Sequence, residues 1–247
     1  MCIRDRSAQV SAAFVGDYSI FGLTSPIAGG RYRFEFTPNF IDQRFVQATA
    51  DYRRYLFFRP VTFAVRGLHI GRYGGNADSL SDINSLQGFS PVQPLYVGFP
   101  TLVRGYDVYA QTFRANECGT TAAAQNVCPA FQRLFGSRAA VLNAEFRIPL
   151  LAPAGLGIIP TNLLPVDIVP FADAGLAWSG RPGDTPRLRF ATGDDARNTL
   201  DRIPVVSAGV SARINLLGFA IVEAFYAKPF QRPDRPWVLG FQLAPGW

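Results

Sequence analysis

Polar and apolar residues alternate one by one over most of the chain from about Ala8 onward. Alternation with a period of two places the two kinds of side chain on opposite faces of a β-strand. We predict about nine strands of roughly ten residues each, four before and five after a long interval that lacks the pattern. The clearest polar faces are Arg31, Arg33 and Glu35; Gln47, Thr49 and Asp51; Asn143, Glu145 and Arg147; Asp167, Phe171 and Asp173; and Ser207, Ser211 and Arg213.

Three features of these segments favour a transmembrane β-barrel over a soluble sheet. Their length suits a tilted membrane strand, which needs about 9–11 residues. The connections are short at Arg59–Pro60 and Leu216–Leu217 but long at 74–136 and 179–203, as between the two faces of an outer-membrane barrel. Aromatic residues collect at strand ends, as in an interfacial girdle, at Tyr52, Tyr55, Phe57, Phe58, Tyr226, Phe230, Trp237 and Trp247.

We therefore predict an all-β fold, an antiparallel transmembrane β-barrel with apolar faces toward lipid and polar faces toward the lumen. A large soluble β-sandwich is the alternative, because it shows the same alternation with the wet face reversed. In the barrel, an arginine should cost about 2–4 kcal/mol at Leu142 and be tolerated at Asn143. The residues expected to face lipid are Phe14, Phe34, Phe36, Leu142, Phe146, Val210 and Phe241; those expected to face the lumen are Arg33, Asp51, Glu145, Asp173 and Arg213.

Composition supports strands and turns rather than long helices. Charged residues make up 17% of the chain and aromatic residues 13%, with 23 Gly, 19 Pro and one Met. No apolar run reaches the roughly 18 residues that a transmembrane helix needs. The net charge of +6 comes from basic residues scattered singly among the strands, which argues against a nucleic-acid partner.

The sequence lacks the residue combinations of an enzyme. It has no activated-serine elbow, no Cys/His pair and only one histidine, too few ligands for a metal site. We therefore expect neither catalysis nor a cofactor.

Residues 1–7 do not continue the alternation. They have no apolar core and no small-residue cleavage site, so they do not form a secretory signal. We predict a non-native or disordered head over 1–7, which suggests that natural upstream residues are missing. The remaining 8–247 should form one portion of a barrel, with a long loop over about 74–136.

Two cysteines, Cys118 and Cys128, lie close together in the polar return of the long loop. In an exported protein we predict a disulfide between them, worth about 3 kcal/mol for so short a ring. Two free thiols are the alternative.

Three motifs follow one another from the long loop onward. The first, Val103-Arg104-Gly105-Tyr106, lies within the loop. The second is Gly136-Ser137-Arg138 leading to Asn143-Ala144-Glu145-Phe146-Arg147-Ile148-Pro149, where the strand pattern resumes. The third is Phe171-Ala172-Asp173-Ala174-Gly175, in the next strand. With the aromatic ending at Gly246-Trp247, these motifs resemble the BamA/TamA-type outer-membrane barrels, also called the bacterial surface antigen family.

The resemblance implies a sixteen-stranded barrel, of which this chain would supply the C-terminal strands eight to sixteen. It also implies that the long loop folds back into the lumen, where Arg104 meets Asp173 on the inner wall with Glu145 nearby. Parity places both carboxylates on the polar face, and a guanidinium offers a donor fork that two carboxylates can accept.

Four further residues complete the loop-to-wall latch that the resemblance implies. Gly105 would let the loop backbone approach the wall, and Gly175 would leave space above it. Tyr106 and Phe171 could stack on the ion pair or fill the space beside it.

The family also implies a function in the bacterial outer membrane. Its members help outer-membrane proteins fold into the bilayer, or pass polypeptides across it, through a weakly paired seam and without a cofactor. Here the terminal strand, with Trp237, Phe241 and Trp247, would form one lip of the seam. The partners would be the lipid bilayer, unfolded outer-membrane protein clients and periplasmic accessory proteins. A passive pore or surface antigen, and a membrane anchor for a missing N-terminal functional domain, are the alternatives.

Overall fold

The fold, taken from a computed structural model, is almost entirely antiparallel β-structure. The structure describes residues 7–42, 44–80, 92–107, 128–161, 164–199, 201–216, 218–232 and 235–243. The strands are β1 Ser7–Gln9, β2 Ala12–Asp17, β3 Ile20–Phe21, β4 Pro26–Ile41, β5 Phe45–Phe58, β6 Val61–Tyr73, β7 Leu95–Tyr96, β8 Phe135–Gly136, β9 Arg138–Ala152, β10 Ile159–Pro160, β11 Val166–Trp178, β12 Val205–Leu216, β13 Ala220–Pro229 and β14 Val238–Leu243.

Three short helices lie in the longer connections, and their bounds are α1 Ala77–Leu80, α2 Pro129–Gln132 and α3 Gly193–Asn198. None of the helices in the described ranges has the length and hydrophobicity needed to cross a membrane.

Nine strand positions form one continuous sheet, in the order β1–β4–β5–β6–β9–β11–β12–β13–β14. The first position is broken into three pieces, because β1, β2 and β3 all pair with β4. β6 pairs directly with β9, so the long connection between them adds no strand to the wall. Over the described residues the sheet has two edges and does not close on itself. The prediction of an all-β, nine-stranded partial barrel is confirmed.

Side-chain exposure alternates along the strands as the sequence pattern predicted. On β9, Asn143, Glu145 and Arg147 are buried, whereas Leu142 and Phe146 are more than half exposed. All the residues predicted to face lipid are exposed large hydrophobic side chains. Among those predicted to face the lumen, Arg33 is also exposed, because it lies on β4, where the open sheet leaves the lumen side uncovered.

The connections define two ends of the sheet. The predicted contrast in their lengths holds at the two short and the two long connections named above, but two further connections do not follow it, the short 42–44 and the long 153–165. The second of these folds back on the wall, where β10 pairs with β9 in parallel. The loop end carries 42–44, 74–137, 179–204 and 230–237, and the turn end carries 18–25, 59–60, 153–165 and 217–219.

The largest apolar core joins the wall to the long connection. A barrel wall with a polar inner face would otherwise enclose water. Here Val97, Val103, Tyr106 and Leu134 of the connection pack against Leu68, Ala139, Val141, Ala177 and Val205 of the wall.

The predicted head extends one residue too far. Ser7 pairs with Ile41 in β1, so the ladder begins before Ala8. The sequence pattern could not predict that Ser7 is paired, because the end of a β-ladder depends on how far the partner strand extends. Residues 1–6 lie outside the described residues.

Two neighbouring small residues of β5 test which face meets lipid. Ala50 lies opposite Phe34, and Thr49 lies opposite Glu35, which faces the lumen. We expect Ala50→Arg to lower the free energy of unfolding by about 2–4 kcal/mol near the bilayer midplane, because its charge would enter hydrocarbon. Thr49→Arg should change it by less than about 0.5 kcal/mol, because the lumen is wet and Glu35 can accept the new donor.

Equilibrium urea unfolding in lipid vesicles measures both variants. Equal losses of stability at Ala50 and Thr49 would contradict the assignment of the two faces.

Candidate functional site

Residues 92–107 carry the arginine motif from the loop end into the lumen. This limb is tied to the returning limb by the short β7–β8 ladder and by the Val97 N–H, which donates to the Leu134 carbonyl. It then turns sharply, because the Val103 N–H donates to the Phe99 carbonyl. The turn directs the next residue, the arginine, at the inner wall.

Arg104 forms a forked contact with Asp173 on β11. Its Nε and Nη2 donate to the two carboxylate oxygens of Asp173, each at 2.8 Å, and its backbone N–H lies 3.2 Å from the same group. Its Nη1 lies 3.0 Å from Glu145 Oε1 and 2.8 Å from Glu223 Oε1. The guanidinium, which is 3% exposed, therefore meets three carboxylates from three different strands.

The ion cluster continues through two wall arginines. Arg213 Nη2 lies 2.7 Å from Glu145, and its Nε lies 3.1 Å from Glu223. Arg147 Nη2 lies 3.0 Å from Glu145. With Arg104 and Asp173, the cluster contains three arginines and three carboxylates and is neutral as a whole. Neutrality matters because an unpaired charge at such burial would be costly.

Phe171 lies beneath the loop arginine. The Arg104 guanidinium carbon is 3.5 Å from the centre of the Phe171 ring, which gives a close cation–π contact. Burial alone would lower the pKa of Arg104, but Asp173, Glu145 and Glu223 together raise it above its usual value. Arg104 therefore stays charged throughout the working pH range.

Two glycines are needed for different reasons. Gly105 has a φ of 89°, which a side chain would strain, and its carbonyl accepts from Arg232 Nη1 at 3.0 Å. A Cβ on Gly175 would lie 2.6 Å from Val103 Cγ2, so the missing side chain leaves room for the residue before Arg104. The contact between loop and wall therefore depends on a glycine on each side, Gly105 in the loop and Gly175 in the wall.

Tyr106 is directed away from the ion cluster. Its hydroxyl donates to Gln231 Oε1 at 2.7 Å and lies 3.0 Å from the Val206 carbonyl. Gln231, nearly fully buried, also accepts from the Val206 N–H at 2.6 Å and donates to the Ala191 carbonyl at 2.9 Å. Burial raises the pKa of Tyr106. Of the two aromatic residues expected to stack on the ion pair or fill the space beside it, Phe171 stacks on Arg104, whereas Tyr106 packs in the core with Val103.

A second loop-end connection clamps the returning limb. Arg133 donates to the carbonyls of Ala196 and Thr199 at the end of α3, at 2.5 and 3.1 Å. Arg202 donates to the Gln132 and Phe135 carbonyls at 2.7 and 3.0 Å. Burial lowers the pKa of Arg133 to about 10. The 179–204 connection therefore holds the returning limb of the long loop at the loop end of the sheet.

Sequence reasoning placed Arg104 with Asp173 and Glu145 but missed other members of the site. Arg213 was predicted only to face the lumen, and its convergence with Glu223 and Glu145 depends on the curvature of four strands. Asn143 donates to Asp173 Oδ1 at 2.8 Å and to the Leu102 carbonyl at 2.7 Å. The expectation that Asn143 would tolerate an arginine is therefore wrong, because this buried position already belongs to the site.

The remaining predicted site residues lie apart from the cluster. Trp237 stacks on Tyr226 with ring centres 4.7 Å apart, and Phe241 on β14 is exposed on the face predicted to meet lipid. Trp247 lies outside the described residues. Cys128 precedes α2 and is disulfide-bonded, whereas Cys118 lies outside the described residues, so their pairing stays a prediction.

Within the described ranges, no group of three or more His, Cys, Asp or Glu side chains is arranged to hold a metal ion. The arrangement of the ion cluster suits holding a loop rather than binding a cation, because its three carboxylates are each occupied by arginines.

Comparison with known proteins identifies the fold. No protein-family model matches the sequence, and no curated protein sequence matches it. Among solved structures, BamA from Haemophilus ducreyi lacking POTRA domains 1–3 is similar with a TM-score of 0.55 and 15% identity, over 95% of this chain and 42% of that one. CdiB from Acinetobacter baumannii is similar with a TM-score of 0.41 and 13% identity, over 88% of this chain and 31% of that one.

The chain thus spans less than half the length of the BamA structure that it matches. The resemblance suggested by the sequence motifs is confirmed at the level of fold, since the match covers nearly all of the nine-stranded sheet. This chain has the fold of part of an outer-membrane β-barrel of the BamA type.

Proposed function

We propose that this chain is part of an outer-membrane barrel of the assembly or translocation type, which helps insert outer-membrane proteins or moves polypeptides across the bilayer. The observation that carries the proposal is the long loop held inside the lumen by Arg104. Within the proposal, this loop is a latch: its seated position keeps the wall strands in register while the barrel works.

The chemistry of the contact supports a positioning role. A buried ion cluster is a poor way to gain stability, because apolar residues of similar volume often stabilise a fold as well or better. Its advantage is specificity, since the donor fork of Arg104 accepts one arrangement of Asp173, Glu145 and Glu223. A polar latch of this kind suits a loop that must occupy one defined position.

The same proposal covers the mode of action, the location and the partners. The barrel acts through its wall and loop and without catalysis, in the outer membrane of a Gram-negative bacterium. Its partners are the bilayer, unfolded outer-membrane proteins and periplasmic accessory proteins. A passive pore or surface antigen differs in one measurable respect, because it would not accelerate client folding.

The first test removes each partner of the forked contact, Arg104 and Asp173. In the whole protein that carries this chain, we expect Arg104→Ala to impair client insertion more than it destabilises the wall strands. Asp173→Ala should produce the same kind of defect, and the double variant should be little worse than Arg104→Ala alone, because Arg104→Ala already removes the contact with Asp173. Losing one partner of a fully buried pair costs about 3–5 kcal/mol.

Insertion of an outer-membrane client into lipid vesicles is the readout, with urea unfolding as the measure of wall stability. Strictly additive losses would show that Arg104 and Asp173 do not act together. If the variants insert clients at the wild-type rate, the contact between Arg104 and Asp173 is not needed for insertion, and the latch has no part in the proposed function.

The second test concerns the fit between loop and wall. Gly175→Ala should destabilise the seated position of the loop by about 1–3 kcal/mol, because the new methyl group would overlap Val103 Cγ2. Adding Val103→Ala should recover most of the loss, since it removes the atom that is hit. Limited proteolysis of the loop in vesicles measures seating directly. Failure of the second substitution to rescue the first would contradict the packing of the motif on β11.

A further inference from the structure

A groove of about 510 Å³ lies on the outer face of the sheet, the face that meets lipid. Its floor on β5 is formed by two small residues, Ala48 and Ala50, and larger side chains stand on either side, Phe34 and Phe36 of β4 and His69 of β6. Because β5 is paired with β4 on one side and with β6 on the other, this floor lies within the sheet and not at its edge.

The strand register explains why the groove exists. Phe34, Ala50 and His69 lie directly opposite one another on three neighbouring strands. β4 and β6 are therefore about 9–10 Å apart, which is twice the spacing of neighbouring strands. A small residue between two large rings leaves room there for a single hydrocarbon chain that runs along β5.

Four outward-facing residues of β6, β9 and β11 form a connected group at the loop end of this groove. His69 Nε2 and the Tyr73 hydroxyl lie 2.7 Å apart and share a hydrogen bond. Trp178 stacks on His69, with ring centres 5.8 Å apart, and the Arg138 guanidinium carbon lies 4.7 Å from the centre of the Tyr73 ring. A Cβ on Gly71 would lie 2.6 Å from the Tyr73 ring, so the glycine lets the tyrosine lie across the strand toward His69.

The position of this group along the strands corresponds to the membrane interface. Tyr73 is the last residue of β6, Trp178 is the last residue of β11, and Arg138 is the first residue of β9. Tyrosine and tryptophan form girdles where barrel strands leave the hydrocarbon. The floor of the groove therefore lies at the depth of acyl chains, and the group at its loop end lies at the depth of lipid head groups.

One polar atom of the group has no protein partner. Tyr73 satisfies Nε2 of His69, but Nδ1 of the same ring makes no hydrogen bond to any of the described residues. A polar ring on the lipid face is costly unless each of its nitrogens finds a partner. When Tyr73 donates to Nε2, Nδ1 carries the proton and is ready to donate to an acceptor from the membrane.

The charges near the group favour an anionic acceptor. Arg138 Nη2 lies 4.0 Å from the Asp78 carboxylate, and Arg181 Nη2 donates to the Asp78 backbone carbonyl at 3.0 Å. The same carboxylate also accepts from the Ser137 hydroxyl and from the Gly180 N–H. Two arginines thus surround one acid, which leaves one excess positive charge beside the groove. Basic side chains at the membrane surface attract anionic lipids.

We infer that this groove binds a membrane lipid with an anionic phosphate head group. One acyl chain lies over Ala48 and Ala50, and the phosphate accepts hydrogen bonds from His69 Nδ1 and from Arg138. The inference goes beyond the proposed function, since it needs only the transmembrane fold and holds whether or not the barrel inserts clients.

Quenching of Trp178 fluorescence by brominated lipid tests this assignment. The whole protein that carries this chain is placed in vesicles of phosphatidylcholine and phosphatidylglycerol, with one of the two lipids brominated near its head group at a time. The signal of Trp178 is the difference between the protein and its Trp178→Phe variant. We expect about a fivefold preference for phosphatidylglycerol at this site, because the excess positive charge attracts its anionic head group.

Two pairs of variants separate the groove from the charge. Ala50→Phe should fill the floor and reduce the preference to less than about twofold, whereas Ala172→Phe, at an exposed alanine on the same face but outside the groove, should keep it. Arg138→Gln should also reduce the preference, and Arg138→Lys should keep it, because lysine retains the positive charge. Heat-modifiable electrophoretic mobility verifies that each variant is folded.

Three outcomes would overturn the inference. The two lipids could quench Trp178 equally, which would show only the ordinary layer of lipid around a barrel. The preference could survive Ala50→Phe, which would separate it from the groove. An Ala50→Cys variant could form disulfide-linked dimers in the vesicles, which would identify a second copy of the protein as the occupant. Client insertion does not enter this test, so none of these results bears on the proposed function.

Discussion

The interaction on which the structure depends is the pairing of Arg104 with carboxylates inside a barrel wall. A guanidinium loses its hydration when it enters such a site, and Asp173, Glu145 and Glu223 together replace the lost water contacts. Because these acids come from three strands, the arginine joins the loop to a broad section of wall. The backbone features around it, Gly105 and the turn before it, follow from the need to bring one side chain to one point.

The ion cluster is also shielded from water. An apolar layer that includes Val97, Val103 and Leu134 lies over the ion cluster, and the contacts of Gln231 and Arg133 hold that layer from the loop end. Excluding water in this way strengthens each hydrogen bond below and raises the cost of leaving one unmade. The seated loop is therefore a cooperative unit, in which apolar packing, ion pairing and backbone fit depend on one another.

Much of this organisation followed from the sequence, because a period of two assigns faces without further information. The inward carboxylates Asp173 and Glu145 and the outward Leu142 are of this kind. Parity does not give height along a strand or curvature between strands, so the convergence of Glu223 with them could not be foreseen. The hydrogen-bond partners of Tyr106 could not be predicted for a related reason, since Gln231 is 125 residues away and belongs to a connection without any periodic pattern.

The charge balance of the cluster has a consequence for ion binding. Arg104 belongs to the loop, whereas the other five members of the cluster belong to the wall. Without the loop, two arginines, Arg147 and Arg213, remain against three carboxylates, so the wall part of the cluster carries one excess negative charge. Rings of acidic side chains select cations in pores. Withdrawing the loop would therefore leave a site on the wall that attracts a cation, and the seated Arg104 is the counter-ion that occupies it.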